Sequence, residues 1–412
     1  MNTSPFRKII AVVIAAALLL TAGLLFLFID PYRFRAEPVR SQPNLSLKKT
    51  ALSERKPVQP TLCRDRLPEN LALLYDEAGK QLEKSDGESF WVSNATKEDF
   101  ACAWRAYAND HPEVFWISPQ TPYSYYEMDG ELEVEFNYIL SNEALFNAKN
   151  KFDEAVKKAF AYAPENADDL EAEVFVNDYL VNHCAYDMKA ELNHTAYGAL
   201  VNGKAVCDGY SRAFQYLCSR LGIACTVIEG TSDFNDDQNE GHMWNCVQLD
   251  GEWYHADVTW NDIDNAKFFC ERYFYLNLND EEIKLDHRPA PLFTDGQPQS
   301  DKAFNIFVPA CKTERLRYMD ICFATVSDLE KDDDVIAALI AAARDKEKSC
   351  SLVIARKLPY KETCDKLIHE GYLDKWINGA NRYCDSNHQI GTDTRAYTYQ
   401  HKNVLTIELH VE

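Results

Sequence analysis

Cys207, His242 and Asp257 are the residues of this chain whose types and spacing could do chemistry together. A thiolate is a strong nucleophile toward carbonyl carbon. An imidazole can take and return its proton near neutral pH. A carboxylate can fix which ring nitrogen of that imidazole carries the proton. All three lie in the stretch Cys207–Trp260.

The elements that must position them can be read from periodicity. After Cys207, the residues Tyr210, Ala213, Phe214, Leu217 and Leu221 recur at steps of three and four, the apolar face of an amphipathic helix. Gly222 is a C-terminal stop. Cys207 is therefore placed at or just before the helix N-terminus, where unpaired N–H groups and the positive end of the helix dipole favour an anion. Upstream, Gly203 permits a sharp entry into that helix. Farther on, Asp250-Gly251 is a two-residue hairpin signal. With those two as the loop, Leu249 pairs with Glu252, Trp244 faces Asp257, and His242 faces Thr259. Alternation then puts His242, Trp244, Asp257 and Thr259 on one face, with Met243, Val247, Ala256 and Val258 on the other, core-facing side. His242 and Asp257 become diagonal neighbours roughly 7–8 Å apart at the backbone, with side chains able to meet.

These residues carry a family resemblance. Gly203-x-x-x-Cys207-x-Gly-Tyr, Leu-Gly-Ile at 221–223, His242-x-Trp-Asn, and Asp-Gly-x-Trp-Tyr-x-x-Asp257-x-Thr-Trp resemble the transglutaminase-like superfamily, in its bacterial membrane-anchored branch. The match is specific over Cys207–Trp260 and extends over about 170–300. The resemblance implies an α+β, papain-like core: a helix carrying the cysteine packed on an antiparallel sheet carrying the histidine and aspartate. It implies Cys207 as nucleophile, His242 as general base and acid, and Asp257 as orienter. It also implies action on amide bonds, by hydrolysis or acyl transfer, with no metal or organic cofactor. Trp244, Tyr210 and Tyr197 are expected to contact the substrate, and Trp244 to shield the His–Asp hydrogen bond. The Cys207 backbone N–H is one expected oxyanion donor. The glutamine that the family places before the nucleophile has no obvious counterpart, so a second donor is unassigned.

The whole chain sets bounds. A formal charge of −22 argues against a nucleic-acid partner, since phosphates would be repelled. The charge is uneven: residues 1–62 carry nine Lys/Arg and three Asp/Glu, leaving −28 on the remainder. Residues 9–29 are an uncharged apolar run of the length that spans a bilayer. It reads as a retained single-pass anchor over 1–35, with a cleaved signal peptide as the alternative. The body is expected outside the cytoplasm, acting on a protein, peptide or cell-wall substrate. A proline-punctuated linker (36–62) leads to an α+β N-terminal region (63–165), the core (166–300) and a small α/β unit (301–412) that has no catalytic signature.

Smaller readings complete the set. Thirteen cysteines without CxxC or His/Cys ligand spacing argue against a structural zinc site, though some could pair as disulfides outside the cell. His255 is read as structural, His194 as bordering the cleft, and Cys246 as a bystander thiol. The acidic stretch Thr231–Glu240 lacks the EF-hand order and reads as a solvated flap over the site rather than a calcium loop. Segment 111–116 is expected to turn into a strand. In the last unit, strands are expected at 319–323, 352–355 and 404–411, and helices around 335–343 and over 360–376. Two rival functions stand beside the enzyme: a non-catalytic binding or scaffold protein that keeps the triad, and a thiol–disulfide enzyme.

Overall fold

The computed structural model describes residues 47–411 except 59–60, 85–86, 129, 235–236, 264–265, 294–302 and 392. The apolar run 9–29 lies outside the described residues, and among those described no helix is long and apolar enough to cross a membrane.

The N-terminal part alternates helix and strand: α1 (Glu69–Lys84), β1 (Phe90–Ser93), α2 (Lys97–Asp110), β2 (Tyr123–Met128) and β3 (Glu131–Phe136). Thr96 caps α2 through a reciprocal capping box with Asp99. The three strands pair antiparallel in the order β1-β3-β2. The segment 111–116 does not become a strand; only an isolated bridge, Ile117 to Tyr138, forms beyond it. Its aromatics, Phe115 and Trp116, are buried instead among α3 (Asn142–Phe160) and Tyr197.

The core follows. Helix α4 (Asp169–His183), capped by Asp168, is buried nearly all round. Short parallel strands β4 (Ala185–Tyr186) and β5 (Lys204–Ala205) bring the chain to α5 (Cys207–Arg220). Gly203 has φ +64, and a Cβ there would meet the His183 carbonyl at 3.0 Å. Only a glycine takes that left-handed step at little cost before the helix. Tyr210, Ala213, Phe214, Leu217 and Leu221 are all buried, the predicted helix face. Gly222, at φ +78, ends the helix as expected.

Helix α5 packs on a five-stranded antiparallel sheet formed by β6 (Cys225–Phe234), β7 (Asp237–Leu249), β8 (Glu252–Ala256), β9 (Leu276–Leu278) and β10 (His287–Pro289), in the order β9-β8-β7-β6-β10. Leu249 pairs with Glu252 and Cys246 with His255, the predicted register. Two expectations change. The described residues of 231–240 lie in strands: Ser232 pairs with Glu240 and Phe234 with Asp237, and Asp233 is held by Arg288 at 2.8 Å. Strand β8 stops at Ala256, because Asp257 caps a short helix α6 (Val258–Asn261), so Thr259 is helical rather than opposite His242.

Helix α7 (Asp280–Ile283) lies between β9 and β10, and the C-terminal part begins with α8 (Tyr318–Cys322). Helix α8 occupies the predicted strand 319–323; a short apolar run does not by itself distinguish the two periods. Strand β11 (Ala324–Val326) pairs parallel with β12 (Ser349–Ile354), and helices α9 (Asp333–Arg344), α10 (Tyr360–His369) and α11 (Tyr372–Asn381) share a core with them around the buried Trp376. Gly371, at φ +81, splits the predicted helix 360–376 into α10 and α11. Strand β13 (Arg395–Tyr399), which the sequence pattern did not reveal, joins β14 (Val404–Glu408) at the edge of the sheet β11-β12-β14-β13. The sheet is tied to the core through Arg317, which is buried and donates to Glu282, Asp320 and the Lys402 carbonyl at 2.7, 2.7 and 2.9 Å.

Close backbone approach fixes where α5 starts. A Cβ at Gly209 would fall 2.3 Å from the Asn193 carbonyl and 2.8 Å from the Ala205 methyl. Gly209→Ala must therefore shift the segment that presents Cys207, with an expected destabilisation of about 1–3 kcal/mol in chemical denaturation; a variant as stable as wild type would contradict that packing.

Candidate active site

The sequence places Cys207 at a helix start, and the structure puts it in the first position of α5, after an extended Val206. It is half-buried. Its thiol is near enough to the His242 ring to favour the charged imidazolium. His242 Nε2 lies 2.7 Å from Asp257 Oδ2. Asp257 thus occupies Nε2, which leaves Nδ1 for chemistry with the cysteine. The His242 side chain is 7% exposed and that of Asp257 is 0%. The structure thus brings together the three residues singled out from sequence, although Asp257 reaches His242 from a helix cap and not from a strand.

Asp257 is the most heavily hydrogen-bonded group in the site. Its Oδ1 accepts the backbone N–H groups of Thr259 and Trp260 at 2.9 and 3.1 Å. Its Oδ2 accepts His242 and also His287 Nε2, at 2.9 Å. His287 is fully buried, and its Nδ1 lies 2.6 Å from Asp286 Oδ1. Carboxylates on both ring nitrogens leave each nitrogen a donor, so His287 is held as an imidazolium. Asp286 also accepts from the Tyr275 hydroxyl at 2.6 Å and lies 3.5 Å from Lys402 Nζ. A row of alternating charges runs from Lys402 through Asp286, His287 and Asp257 to His242.

Sequence reasoning missed His287, Asp286 and Lys402. They lie 29 or more residues beyond Asp257, and the one local sign was a charged Asp286-His287-Arg288 triplet just before Pro289.

Electrostatics follow from this row. Burial disfavours the charged His242 ring, but the Asp257 charge and hydrogen bond, with the Cys207 thiol, outweigh it and raise the imidazolium to about 9. Burial likewise opposes the Asp257 carboxylate, yet His242 and His287 hold it well below the usual carboxylate range. For Lys402, burial is the larger effect and pulls the ammonium down to about 8 despite Asp286. His242, Asp257 and His287 also offer three potential metal-ligand atoms within 4.8 Å of one another, but these are the atoms already committed to each other by hydrogen bonds.

A cleft of about 1090 Å³ opens at His242. Its lining includes Tyr186, Glu240, Trp260, Tyr275, Thr398 and Lys402, so the C-terminal part supplies one wall. Three expectations are corrected here. Trp244 and Tyr210 are fully buried and Tyr197 nearly so, and none lines the cleft. Tyr210 donates to Asp262, and Tyr197 packs on Phe115 and Phe152, so their bulk fills core rather than touching substrate. Trp244 does lie nearly parallel to the His242 ring, with centroids 6.1 Å apart and planes at 17°. His194 pairs with Asp208 at 2.9 Å beside the nucleophile but does not line the cleft. All thirteen cysteines are free thiols.

Titration of the ring tests this arrangement. In wild type, His242 is expected to titrate near 9, in Asp257→Asn lower, and in His287→Gln, which removes a neighbouring positive charge, higher; histidine NMR reads all three. Because the folded value exceeds the unfolded one, the stability gained from charged His242 is full below about pH 6.5 and fades as pH rises through about 9. His287→Ala strips a buried cation from two carboxylates and is expected to cost about 3–5 kcal/mol.

Residues 158–258 match the family model described as Transglutaminase-like superfamily. The chain is 30% identical over 138 residues to kyphoscoliosis peptidase of Mus musculus, covering 29% of this chain and 21% of that protein. It is 30% identical over 159 residues to kyphoscoliosis peptidase of Homo sapiens, covering 34% and 24%. The chain thus spans about a quarter or less of these curated relatives. A solved structure described as a TGase aligns with 15% identity and a TM-score of 0.27, covering 42% of this chain and 52% of that one. Over residues 158–258, on an α+β core, the chain is similar to the transglutaminase-like superfamily.

Proposed function

We propose that the protein is a thiol enzyme that opens amide bonds of a protein or peptide through a thioester on Cys207. The observation that carries this reading is the His242 ring held at Nε2 by the buried Asp257 carboxylate, with the Cys207 thiol near enough to act on the same ring. The thiolate attacks the carbonyl carbon, and the oxyanion accepts the Cys207 backbone N–H, one of the unpaired donors of the first turn of α5. Tyr186 supplies the second donor. It lies on β4, paired with Ala205 two residues before the nucleophile, and lines the cleft with His242. Burial, with the nearby Cys207 and acidic groups, pushes its hydroxyl up to about 12, so it remains a proton donor throughout the working range. His242 gives its Nδ1 proton to the leaving amine, the C–N bond breaks, and an acyl thioester remains. Water then enters, His242 takes its proton, and the acid is released with Cys207 restored.

Hydrolysis is favoured over cross-linking because the curated relatives are named peptidases. Their names describe those proteins, of which this chain covers a small part, so the substrate is to be found by assay. We further propose that the run 9–29 anchors the body on the outer side of a membrane, as in the bacterial anchored branch. A membrane-impermeant maleimide should then label Cys207 in intact cells; labelling only after lysis would overturn that placement.

The assay uses a panel of peptide amides, with and without added amine donors, comparing wild type with Cys207→Ala. The expected result is an acid product, absent in Cys207→Ala, with an acyl-enzyme trapped by mass spectrometry. No product from any substrate in either protein would favour the scaffold reading, and product equal in the two would remove Cys207 from the chemistry. Tyr186→Phe is expected to lower kcat about 10²-fold with little change in fold.

A further inference from the structure

A second cluster lies along the same strand as His242, deeper in the molecule. Strand β7 presents His242, Trp244 and Cys246 on one face. Opposite Cys246 in the register is His255 of β8. The Cys246 sulfur lies 3.2 Å from His255 Nδ1 and 3.8 Å from the sulfur of Cys311. All three residues are buried, at 0%, 1% and 0% exposure. Their donor atoms all lie within 4.8 Å of one another. The proposed amide chemistry uses none of them.

We propose that Cys246, His255 and Cys311 form a binding site for a divalent zinc ion. The first argument is spacing. Around a tetrahedral zinc with Zn–S about 2.3 Å and Zn–N about 2.0 Å, ligand sulfurs stand roughly 3.8 Å apart and sulfur and nitrogen roughly 3.5 Å apart. The observed sulfur separation is 3.8 Å and the sulfur–nitrogen separation 3.2 Å. A disulfide would instead need the sulfurs to close to about 2.05 Å, in an interior too tightly packed for easy movement.

The second argument is the histidine. The Trp244 indole donates to His255 Nδ1 at 3.1 Å, so that nitrogen carries a lone pair. The ring proton then sits on Nε2, which lies 3.0 Å from Asp280 Oδ1. A carboxylate holding the far nitrogen of an imidazole is the usual support of a zinc ligand. Asp280 is itself positioned by this cluster: its backbone N–H donates to the Cys311 carbonyl at 2.7 Å.

The third argument is charge. Two thiolates and one divalent cation sum to zero, whereas a monovalent cuprous ion would leave a net charge where burial makes one costly. Soft sulfur donors also exclude calcium and magnesium. Three protein ligands leave the fourth tetrahedral position to a small exogenous ligand such as water. The three ligands are scattered over 246–311, which is why no spacing pattern in the sequence marks them. An ion here would compete with the Trp244 indole for the His255 lone pair, so loading would be felt by the side chain that stacks on His242.

The test uses the full chain carrying Cys207→Ala, which removes the active-site thiol as a rival zinc ligand. Zinc is added alone, excess is removed by gel filtration, and bound metal is counted by elemental analysis. About one zinc per chain is expected, falling severalfold in Cys246→Ala and in Cys311→Ala and unchanged in Cys350→Ala, a buried cysteine elsewhere. Asp280→Asn, which loosens the histidine, is expected to weaken zinc about 10–100-fold against a competing chelator. X-ray absorption of the zinc-loaded protein gives a readout that needs no ligand variant to fold, and two sulfur neighbours with at least one nitrogen are expected. Absence of retained zinc, retention that survives both cysteine substitutions, a sulfur-free first shell, or a Cys246–Cys311 disulfide in the protein as isolated would each overturn the proposal.

Discussion

A carboxylate sealed from water is the constraint on which the rest of this site depends. Asp257 is wholly inaccessible, and a bare ion there would be untenable without donors. It has four: two backbone N–H groups of the turn that follows it and two imidazole nitrogens. Each demands a particular element. The backbone donors require β8 to stop at Ala256 and the chain to coil into α6. His242 requires the long pairing of β6 and β7. His287 requires β10 to lie along β6 at the opposite edge of the sheet from β9. The fold can thus be seen as the set of elements needed to charge one buried carboxylate and, through it, one histidine.

That dependence reaches the C-terminal part. His287 is itself neutralised by Asp286, and Asp286 meets Lys402, whose backbone carbonyl is gripped by Arg317. A region without a catalytic motif of its own therefore contributes both a cleft wall and the outermost charge of the row behind the histidine. Buried charges in sequence are tolerable here because every one has an opposite neighbour.

Much of this was legible in the sequence. Spacings of three and four fixed α5 and put Cys207 at its start; Asp250-Gly251 fixed the register that carries His242 and His255. Both signals are local, and local patterns survive folding. The errors are also physical. Trp244, Tyr210 and Tyr197 are aromatic and near the triad in sequence, but aromatic bulk beside a site fills core as readily as it meets substrate. Thr259 left the strand because an aspartate with two backbone N–H groups within reach prefers to cap a helix. His287 escaped notice because its role comes from two carboxylates, one adjacent and one 30 residues away, and no period links such partners. The acidic stretch 231–240 looked like a loop from composition, but the strand pairing on either side of it continues through most of its length.

Strand β7 carries His242, Trp244 and Cys246 as alternate residues on one face, with the Met243–Asn245–Val247 row packed on the other. Both faces are filled, so neither row can trade places with the other. A single-residue insertion or deletion between Gly241 and Leu249 would turn the histidine, the indole and the thiol to the wrong side together. A change of length within this segment dismantles the site, whereas side chains can be exchanged one at a time where they stand.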